Sequence, residues 1–163
     1  MDLRIEPWED SDGDLVRKLT GDPAMMEHLG GAENEERIAD RQRRYAEPDS
    51  GMFKIVDGAT GAAIGSVGFW ERTWRDESVL ETGWSVLPPH QGRGAAASAM
   101  RQLIALAQAE GGYGAMHAFP SVENAASNAI CRKLGFELLG PCEFEYPPGS
   151  LMRCNDWRLP LTA

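Results

Sequence analysis

The sequence predicts an α+β fold, with a mixed, mostly antiparallel sheet flanked by helices. Three strand-like stretches follow one another around short polar turns, at Met52–Asp57, Ala63–Glu71 and Ser78–Val86. Only after them does a glycine-rich loop open an alanine-rich helix. Strands joined by short turns pair antiparallel, whereas a strand that returns after a helix pairs parallel, so this order favours α+β over repeated βαβ units.

The elements before these strands are one short strand and two helices. Leu3–Ile5 alternates like a strand and ends near Pro7. A helix follows and stops at Gly21. The segment Asn34–Tyr45 is the clearest amphipathic helix of this half, because an asparagine can cap its first turn and acidic and basic residues lie at the ends that suit the helix dipole.

The elements after the glycine loop complete the sheet. The sequence predicts a helix at Gly94–Glu110, a strand at Tyr113–Phe119 that pairs parallel, and a short helix at Asn124–Leu134. Phe136–Tyr146 and Ser150–Leu161 are predicted to form a closing hairpin.

Length and charge restrict the class of protein. A chain of 163 residues with 42% hydrophobic residues predicts one globular domain over residues 1–163. The net charge of −9 argues against a nucleic-acid partner. No apolar run reaches the roughly 20 residues that cross a bilayer, and the N-terminal segment lacks the pattern of a signal peptide. We therefore expect a cytoplasmic protein with no membrane partner.

The three cysteines are odd in number and too dispersed for a metal site, so no metal is expected. A symmetric closing hairpin would place Cys142 opposite Cys154. In a reducing compartment, this arrangement predicts two free thiols on neighbouring strands.

The segment Gln91–Ala96, between a strand end and a helix start, has the composition of a phosphate-binding loop. Glycines allow an anion to approach, and the first turn of a helix offers unpaired N–H donors at the positive end of the dipole. Two other interpretations use the same residues. The loop could simply turn the chain into a helix, or Gly92–Ala97 could be a GxGxxA dinucleotide fingerprint. The fingerprint is disfavoured because it belongs in an early βαβ unit whose next strand ends in an acid.

Two motifs together resemble the GNAT superfamily of N-acyltransferases. The spacing Gln91-x-x-Gly94-x-Ala96 resembles its acyl-CoA pyrophosphate loop, and Asn124-x-x-Ser127 resembles its pantetheine-side helix. This resemblance implies a GNAT-type sheet splayed near the loop and direct acetyl transfer from acetyl-CoA to a primary amine. It also implies a set of cofactor-binding residues: Trp84, Ser85, Val86, Gln91, Gly92, Arg93, Gly94, Ala95, Ala96 and Asn124.

Glu81 is the candidate general base. Strand alternation places it on one face with Gly83 and Ser85, a face of little apolar bulk that could line a cleft. The resemblance supports this role, because many GNAT enzymes carry a glutamate on the strand before the loop. The alternative is a strand glutamate held in an ion pair.

The group that serves the leaving thiolate departs from the common family pattern. Cys131 stands where many members carry a tyrosine. Ser127 instead matches a serine of the RimJ/RimL-like branch of ribosomal-protein alanine acetyltransferases, which this chain resembles and in which that serine is thought to serve the sulfur. A hydroxyl of high pKa would act as a hydrogen-bond donor to the thiolate. The alternatives are that Asn124 only caps the helix and that Ser127 is an ordinary first-turn residue.

The remaining expectations concern the acceptor and other polar residues. The acceptor is a small-molecule amine or a peptide N-terminus, and a homodimer could form through sheet edges or the closing hairpin. The histidines, His28, His90 and His117, are expected at the surface or in loops. Trp74, expected in a polar turn, could wall the acceptor pocket by cation–π attraction. The alternative to an enzyme is an acyl-CoA-binding regulatory module that has lost turnover.

Overall fold

The structure is a computed structural model that describes residues 2–145 and 148–162. Its strands form one sheet in the order β1-β2-β3-β4-β5-β7-β6. The strands are β1 (Leu3–Pro7), β2 (Met52–Asp57), β3 (Ala63–Trp74), β4 (Glu77–Val86), β5 (Ala115–Ala118), β6 (Glu137–Glu145) and β7 (Leu151–Pro160). The helices are α1 (Gly13–Thr20), α2 (Glu35–Tyr45), α3 (Ala95–Glu110) and α4 (Ala125–Lys133). The β4–β5 pair is parallel and the other neighbouring pairs are antiparallel, which confirms the predicted α+β class.

The two faces of the sheet carry different helices. Helix α3 packs on one face, where Met100 and Leu103 are fully buried in the main core together with Leu80 and Met116 of the central strands. Helices α1 and α2 close a second core with Met52 of β2. Because strand residues alternate between faces, the core positions of β4 on the α3 side leave the intervening positions on the opposite side. That opposite side carries Glu81, the candidate general base.

The sheet splays between β4 and β5. Strand β4 pairs with β3 along its length as far as Val86, but its register with β5 runs only from Leu80 to Thr82. Gly83–Val86 therefore extend past the last position at which the two parallel strands are paired. This opening between Gly83–Val86 and the end of β5 is the cleft. It confirms the predicted splay and leaves one edge of the end of β4 without a neighbouring strand.

The N-terminal helix α2 and the closing hairpin follow the prediction closely. The side chain of Asn34 accepts a hydrogen bond from the Arg37 N–H at 2.9 Å, as a helix cap does. Cys142 and Cys154 lie directly opposite each other as free thiols, with their sulfurs 3.6 Å apart. The predicted turn residue Pro147 lies outside the described residues.

Two local predictions were wrong. Strand β3 extends to Trp74, and the turn is reduced to Arg75 and Asp76, whose φ angles are 49° and 67°. Pairing of Trp74 with Glu77 across the hairpin holds Trp74 in the strand. Strand β5 is also shorter than the predicted Tyr113–Phe119. None of the helices within the described ranges has the length and hydropathy of a membrane span.

Candidate active site

The glycine loop leads directly into helix α3. Gly94 caps the helix with a φ of 78°, and Gly92 has a φ of 75°, a conformation that side chains rarely adopt. A Cβ built on either residue would meet no atom within 4 Å, so the space in front of the loop is open. The helical hydrogen bonds begin with the Ser98 N–H to the Gly94 carbonyl at 3.0 Å. The N–H groups of residues 95–97 therefore have no acceptor within the helix.

Buried alanines fix the direction of this helix start. Ala95, Ala96 and Ala97 are all buried, and the first two belong to the main core. Small side chains let the first turn of α3 lie close to the sheet, so the unpaired donors are held at the mouth of the cleft. The loop itself is exposed, and Arg93 lies at its rim.

Gln91 connects the loop to the end of β4. Its side-chain amide donates a hydrogen bond to the carbonyl of Val86 at 2.8 Å. This contact gives Gln91 a structural role, because it fixes the distance between the strand end and the glycines. Trp84 and Ser85, on the same stretch of strand, are half-buried, and Trp84 packs against the main core.

Helix α4 begins at the same end of the sheet as the loop. Its N-cap, Asn124, accepts a hydrogen bond from the Ser127 N–H at 3.1 Å. Since β4 and β5 run parallel, the elements that follow them start at one edge, and the glycine loop and the first turn of α4 flank the opening between the strands. Ser127 is half-buried in that first turn.

Asn128 is a structural residue that the sequence analysis missed. Its amide nitrogen donates to the carbonyls of Ser121 and Asn124 at 3.0 and 2.8 Å. Its oxygen accepts from Asn155 and from the indole of Trp157 at 2.9 and 2.8 Å. Two of these bonds join α4 to β7 and two join it to the segment that precedes α4, and together they set the position of the neighbouring Ser127.

Cys131 lies on the inner side of α4. It is fully buried in the main core, and burial raises the pKa of its thiol to about 12. Such a thiol is packed among apolar side chains, away from the cleft. The geometry therefore favours Ser127 over Cys131 as the residue that meets the leaving sulfur.

Glu81 lies on the side of the sheet opposite α3, where the sequence analysis placed it. Its side chain is 13% exposed and receives a hydrogen bond from Arg72 at 2.9 Å, so the ion pair predicted as the alternative is present. Burial nevertheless raises the pKa of the Glu81 carboxyl above its ordinary value, against the opposing effects of Arg72 and Trp70. A carboxylate that is buried and still ionisable near a cleft has the properties of a general base.

Arg72 is surrounded by aromatic rings of the same face. Its guanidinium carbon lies 4.1 Å from the ring centre of Phe144, 5.4 Å from that of Trp74 and 5.6 Å from that of Phe119. Its Nε is buried and has no hydrogen-bond partner among the described residues. The rings shield the Glu81–Arg72 pair from water, which strengthens the interaction between the two charges.

The predicted role of Trp74 as a wall for the acceptor does not fit its surroundings. Its ring already contacts the cations of Arg72 and Arg75, and its indole N–H donates to Asp156 at 3.0 Å. The aromatic residue that pairs directly with Glu81 across the strands is Trp70, which is 38% exposed. Trp70 is therefore better placed than Trp74 to contact an acceptor.

One histidine prediction was wrong. His117 lies in β5, is only 3% exposed, and places its Nδ1 2.7 Å from the Asp156 carboxylate. His28 and His90 are half-buried. Among the described residues, no group of three or more histidine, cysteine or acidic side chains is arranged to hold a metal ion.

Comparison with known proteins gives one family match and many structural matches. A family model described as an acetyltransferase (GNAT) domain matches residues 2–137. No curated protein matched. A solved GNAT-family acetyltransferase from Bacillus anthracis superposes with a TM-score of 0.83 at 20% identity, covering 99% of this chain and 96% of that one.

Two further solved structures are similar over comparable lengths. A phosphinothricin acetyltransferase from Sinorhizobium meliloti, in complex with AcCoA, has a TM-score of 0.77 at 20% identity, covering 99% of this chain and 90% of its own. The ribosomal-protein-S5-alanine acetyltransferase of Vibrio fischeri has a TM-score of 0.76 at 15% identity, covering 98% and 93%. At these identities the structural matches establish a shared fold.

Proposed function

Because the chain belongs to the GNAT acetyltransferase family, we propose that it transfers an acetyl group from acetyl-CoA to a primary amine by direct attack. The observation that carries this proposal is the opening between β4 and β5, which is flanked by the glycine loop and the first turn of α4. A GNAT-family neighbour was solved with AcCoA, which supports the same co-substrate here. We propose residues 1–163 as one catalytic domain.

Acetyl-CoA would lie across this opening. The N–H groups of Gly92–Ala96 would hold its pyrophosphate, with Arg93 at the rim and Gln91 fixing the loop. The unpaired edge of Trp84–Val86 would hydrogen-bond the amide groups of pantetheine in the way that an added strand does. Asn124 would contact the same arm while it caps α4.

The reaction needs a neutral amine and a leaving thiolate. Glu81 would take the proton of the acceptor ammonium, and the free amine would then attack the thioester carbonyl. As the carbon–sulfur bond breaks, the Ser127 hydroxyl would donate a hydrogen bond to the developing thiolate. The attacking nitrogen loses its second proton to solvent as the amide forms, and the thiolate takes one proton up from solvent. No covalent enzyme intermediate and no metal are required.

The acceptor is proposed only as a class, a small primary amine or a peptide N-terminus. The exposed Trp70 beside Glu81 supports an acceptor whose cation or apolar part contacts an aromatic ring. The similarity to a ribosomal-protein alanine acetyltransferase is in keeping with the RimJ/RimL-like branch. Three free cysteines support a reducing, cytoplasmic setting.

A homodimer formed through the closing hairpin is a further proposal. Strand β6 is an edge of the sheet, and Leu138 and Leu139 are each 47% exposed. Light scattering across a concentration series tests this assembly, and a monomer at all concentrations would contradict it.

The first experiment is calorimetric titration of the protein with acetyl-CoA, with NAD as the control ligand. We expect binding of acetyl-CoA at a single site and no binding of NAD. A folded protein that binds neither would show that Gln91–Ala96 is only a turn, and the enzymatic proposal would be abandoned. Binding followed by a screen of amines, amino acids and short peptides in which no thiol is released would favour the regulatory module.

A further inference from the structure

A buried histidine–aspartate pair lies next to the proposed base and is not used by the mechanism above. His117 and Asp156 are 3% and 1% exposed, and their contact joins Nδ1 to Oδ1 at 2.7 Å. The second oxygen of Asp156 accepts from the Trp74 indole at 3.0 Å. Burial opposes ionisation of Asp156, but these two hydrogen bonds, together with the charges of His117 and Arg75, outweigh it and hold its pKa below the ordinary value. The aspartate is therefore an anion whose two oxygens are both engaged.

This contact determines which nitrogen of His117 can exchange a proton. An ionised carboxylate only accepts hydrogen bonds, so Nδ1 carries the proton that bonds to Asp156 and Nε2 is the nitrogen that can gain or lose one. Nε2 has no hydrogen-bond partner within residues 2–145 and 148–162. Within the same residues, Arg72 Nε is the only side-chain nitrogen or oxygen that is both closed to solvent and without a hydrogen-bond partner. Nε2 is thus the ring nitrogen that can accept a proton, in a side chain that is 4% exposed.

The sheet places this imidazole beside Glu81. In the parallel β4–β5 pair, Glu81 is the register partner of His117, one position before the pairing ends at Thr82 and Ala118. Paired residues on neighbouring strands point to the same face, and the strands are about 4.8 Å apart. Besides Glu81, the charged groups that meet His117 are Asp156, through its hydrogen bond, and Arg158, its register partner on β7. The other charged and titratable groups nearby act on Asp156 or on the cysteine pair: Arg72, Arg75, Cys142 and Cys154.

The position of Glu81 creates a need for such a neighbour. Its side chain is 13% exposed and one of its oxygens accepts from Arg72, so a bound acceptor would close the remaining route by which the proton could reach water. We propose that His117, held by Asp156, is the proton relay that returns Glu81 to the carboxylate in each cycle. This inference rests on the proposed function, because it assumes that Glu81 is the base.

The relay balances in protons. The acceptor ammonium gives one proton to the Glu81 carboxylate and becomes a neutral amine. Protonated Glu81 passes that proton to Nε2 of His117, directly or through one water, and forms an imidazolium whose charge Asp156 stabilises. The imidazolium then releases the proton to solvent through Nε2. His117 is thus a positioning and relay residue that acts through Glu81.

The kinetic test compares two acceptors of almost equal shape. Ethylamine is protonated at pH 7 and needs a base, whereas methoxyamine is uncharged at pH 7 and needs none. We expect Glu81→Gln and His117→Gln to lower kcat/KM for ethylamine, the latter on the order of tenfold to hundredfold, and to leave that for methoxyamine little changed. Asp156→Asn, whose amide cannot stabilise an imidazolium as a carboxylate does, should act in the same direction as His117→Gln.

His28→Gln is the matched control and should leave kcat/KM unchanged for both acceptors. Thermal melting followed by tryptophan fluorescence checks that each variant is folded. If Glu81→Gln loses ethylamine turnover while folded His117→Gln retains it, the relay is overturned and the proposed function stands. Equal losses with both acceptors in His117→Gln would show a structural role and would also overturn the relay.

A measurement without substrate covers the case in which the wild-type protein acetylates neither amine. Nitrogen-15 NMR of the ring nitrogens follows His117 as the pH is changed. We expect the ring-nitrogen chemical shifts measured through this pH series to differ between the wild type and Glu81→Gln, because the neighbouring carboxylate is no longer present to favour the imidazolium. Unchanged shifts would refute the coupling whatever the fate of the enzymatic proposal.

Discussion

Replacement of Arg72 by methionine tests the electrostatic state of Glu81. Methionine keeps an apolar side chain against Phe144 but removes the cation 2.9 Å from the Glu81 carboxylate. A hydrogen bond to a charged group contributes about 1.5–3 kcal/mol, and its loss destabilises the carboxylate relative to the protonated acid, so we expect the Glu81 pKa to rise further. Both side chains are mostly shielded from solvent, which justifies using this range without a large reduction.

The direction of the expected pH shift follows from the protonation state in which Glu81 is active. Only the carboxylate can take a proton, so activity rises with pH through the pKa of Glu81, which burial already places above that of an ordinary glutamate. The Arg72→Met profile of kcat, measured with acetyl-CoA and the acceptor at saturation, should therefore have its acidic limb displaced to higher pH. The same acceptor is used for every variant, so its amine ionises identically in all of the pH profiles.

Arg75→Met provides the control. Arg75 also contacts the Trp74 ring, at 5.2 Å, and is exposed, so its loss removes a similar cation–π contact without removing the bond to Glu81. We expect its pH profile to match that of the wild type. An acidic limb that stays in place in folded Arg72→Met, or that moves equally in Arg75→Met, would show that Glu81 is not the group that titrates.

Three further predictions concern the cofactor side. Gly92 and Gly61 have the same φ of 75° and equally open surroundings, so replacing either by alanine should lower the unfolding free energy by about 1 kcal/mol. Calorimetry should show weaker acetyl-CoA binding for Gly92→Ala only. Equal affinities in the two variants would contradict the assignment of the phosphate-binding loop. Ser127→Ala should lower turnover with little change in acetyl-CoA affinity, whereas the control Cys131→Ala should retain turnover. Unchanged turnover in Ser127→Ala would show that its hydroxyl takes no part in the departure of the thiolate. Asn128→Ala leaves the buried indole N–H of Trp157 and the half-buried amide of Asn155 without their acceptor. It should lower the unfolding free energy by about 2–4 kcal/mol, measured by denaturant titration, and a neutral result would contradict the bridging role.

The cofactor side could be predicted from sequence because its chemistry is local. The residues Val86–Ala96 contain the strand end, both left-handed glycines and the helix start in one continuous stretch. The cap of α4 is also local, since Asn124 and Ser127 are three residues apart. In both cases the sequence spacing determines the geometry, and the backbone supplies the donors.

The acceptor side could not be predicted in the same way, because its contacts join distant parts of the chain. Trp74 and Asp156 are 82 residues apart, and His117 and Asp156 are 39 apart. Taken singly, each is an ordinary residue of a strand or turn. The error at Trp74 has the same origin, since the polar composition near it indicated a turn, whereas cross-strand pairing as far as Glu77 extends the hairpin.

The composition of this buried face is itself an argument for function. Glu81, Arg72, His117 and Asp156 are held among aromatic rings at the centre of a sheet, where apolar residues of similar volume would usually be at least as stable. Arg72 Nε, which has no hydrogen-bond partner in residues 2–145 and 148–162, adds to this cost. Perturbed, buried ionisable groups beside a cleft are typical of sites that move protons. The charges lie where the parallel strands begin to part, so the residues that would deprotonate the amine stand next to the opening that would receive the thioester.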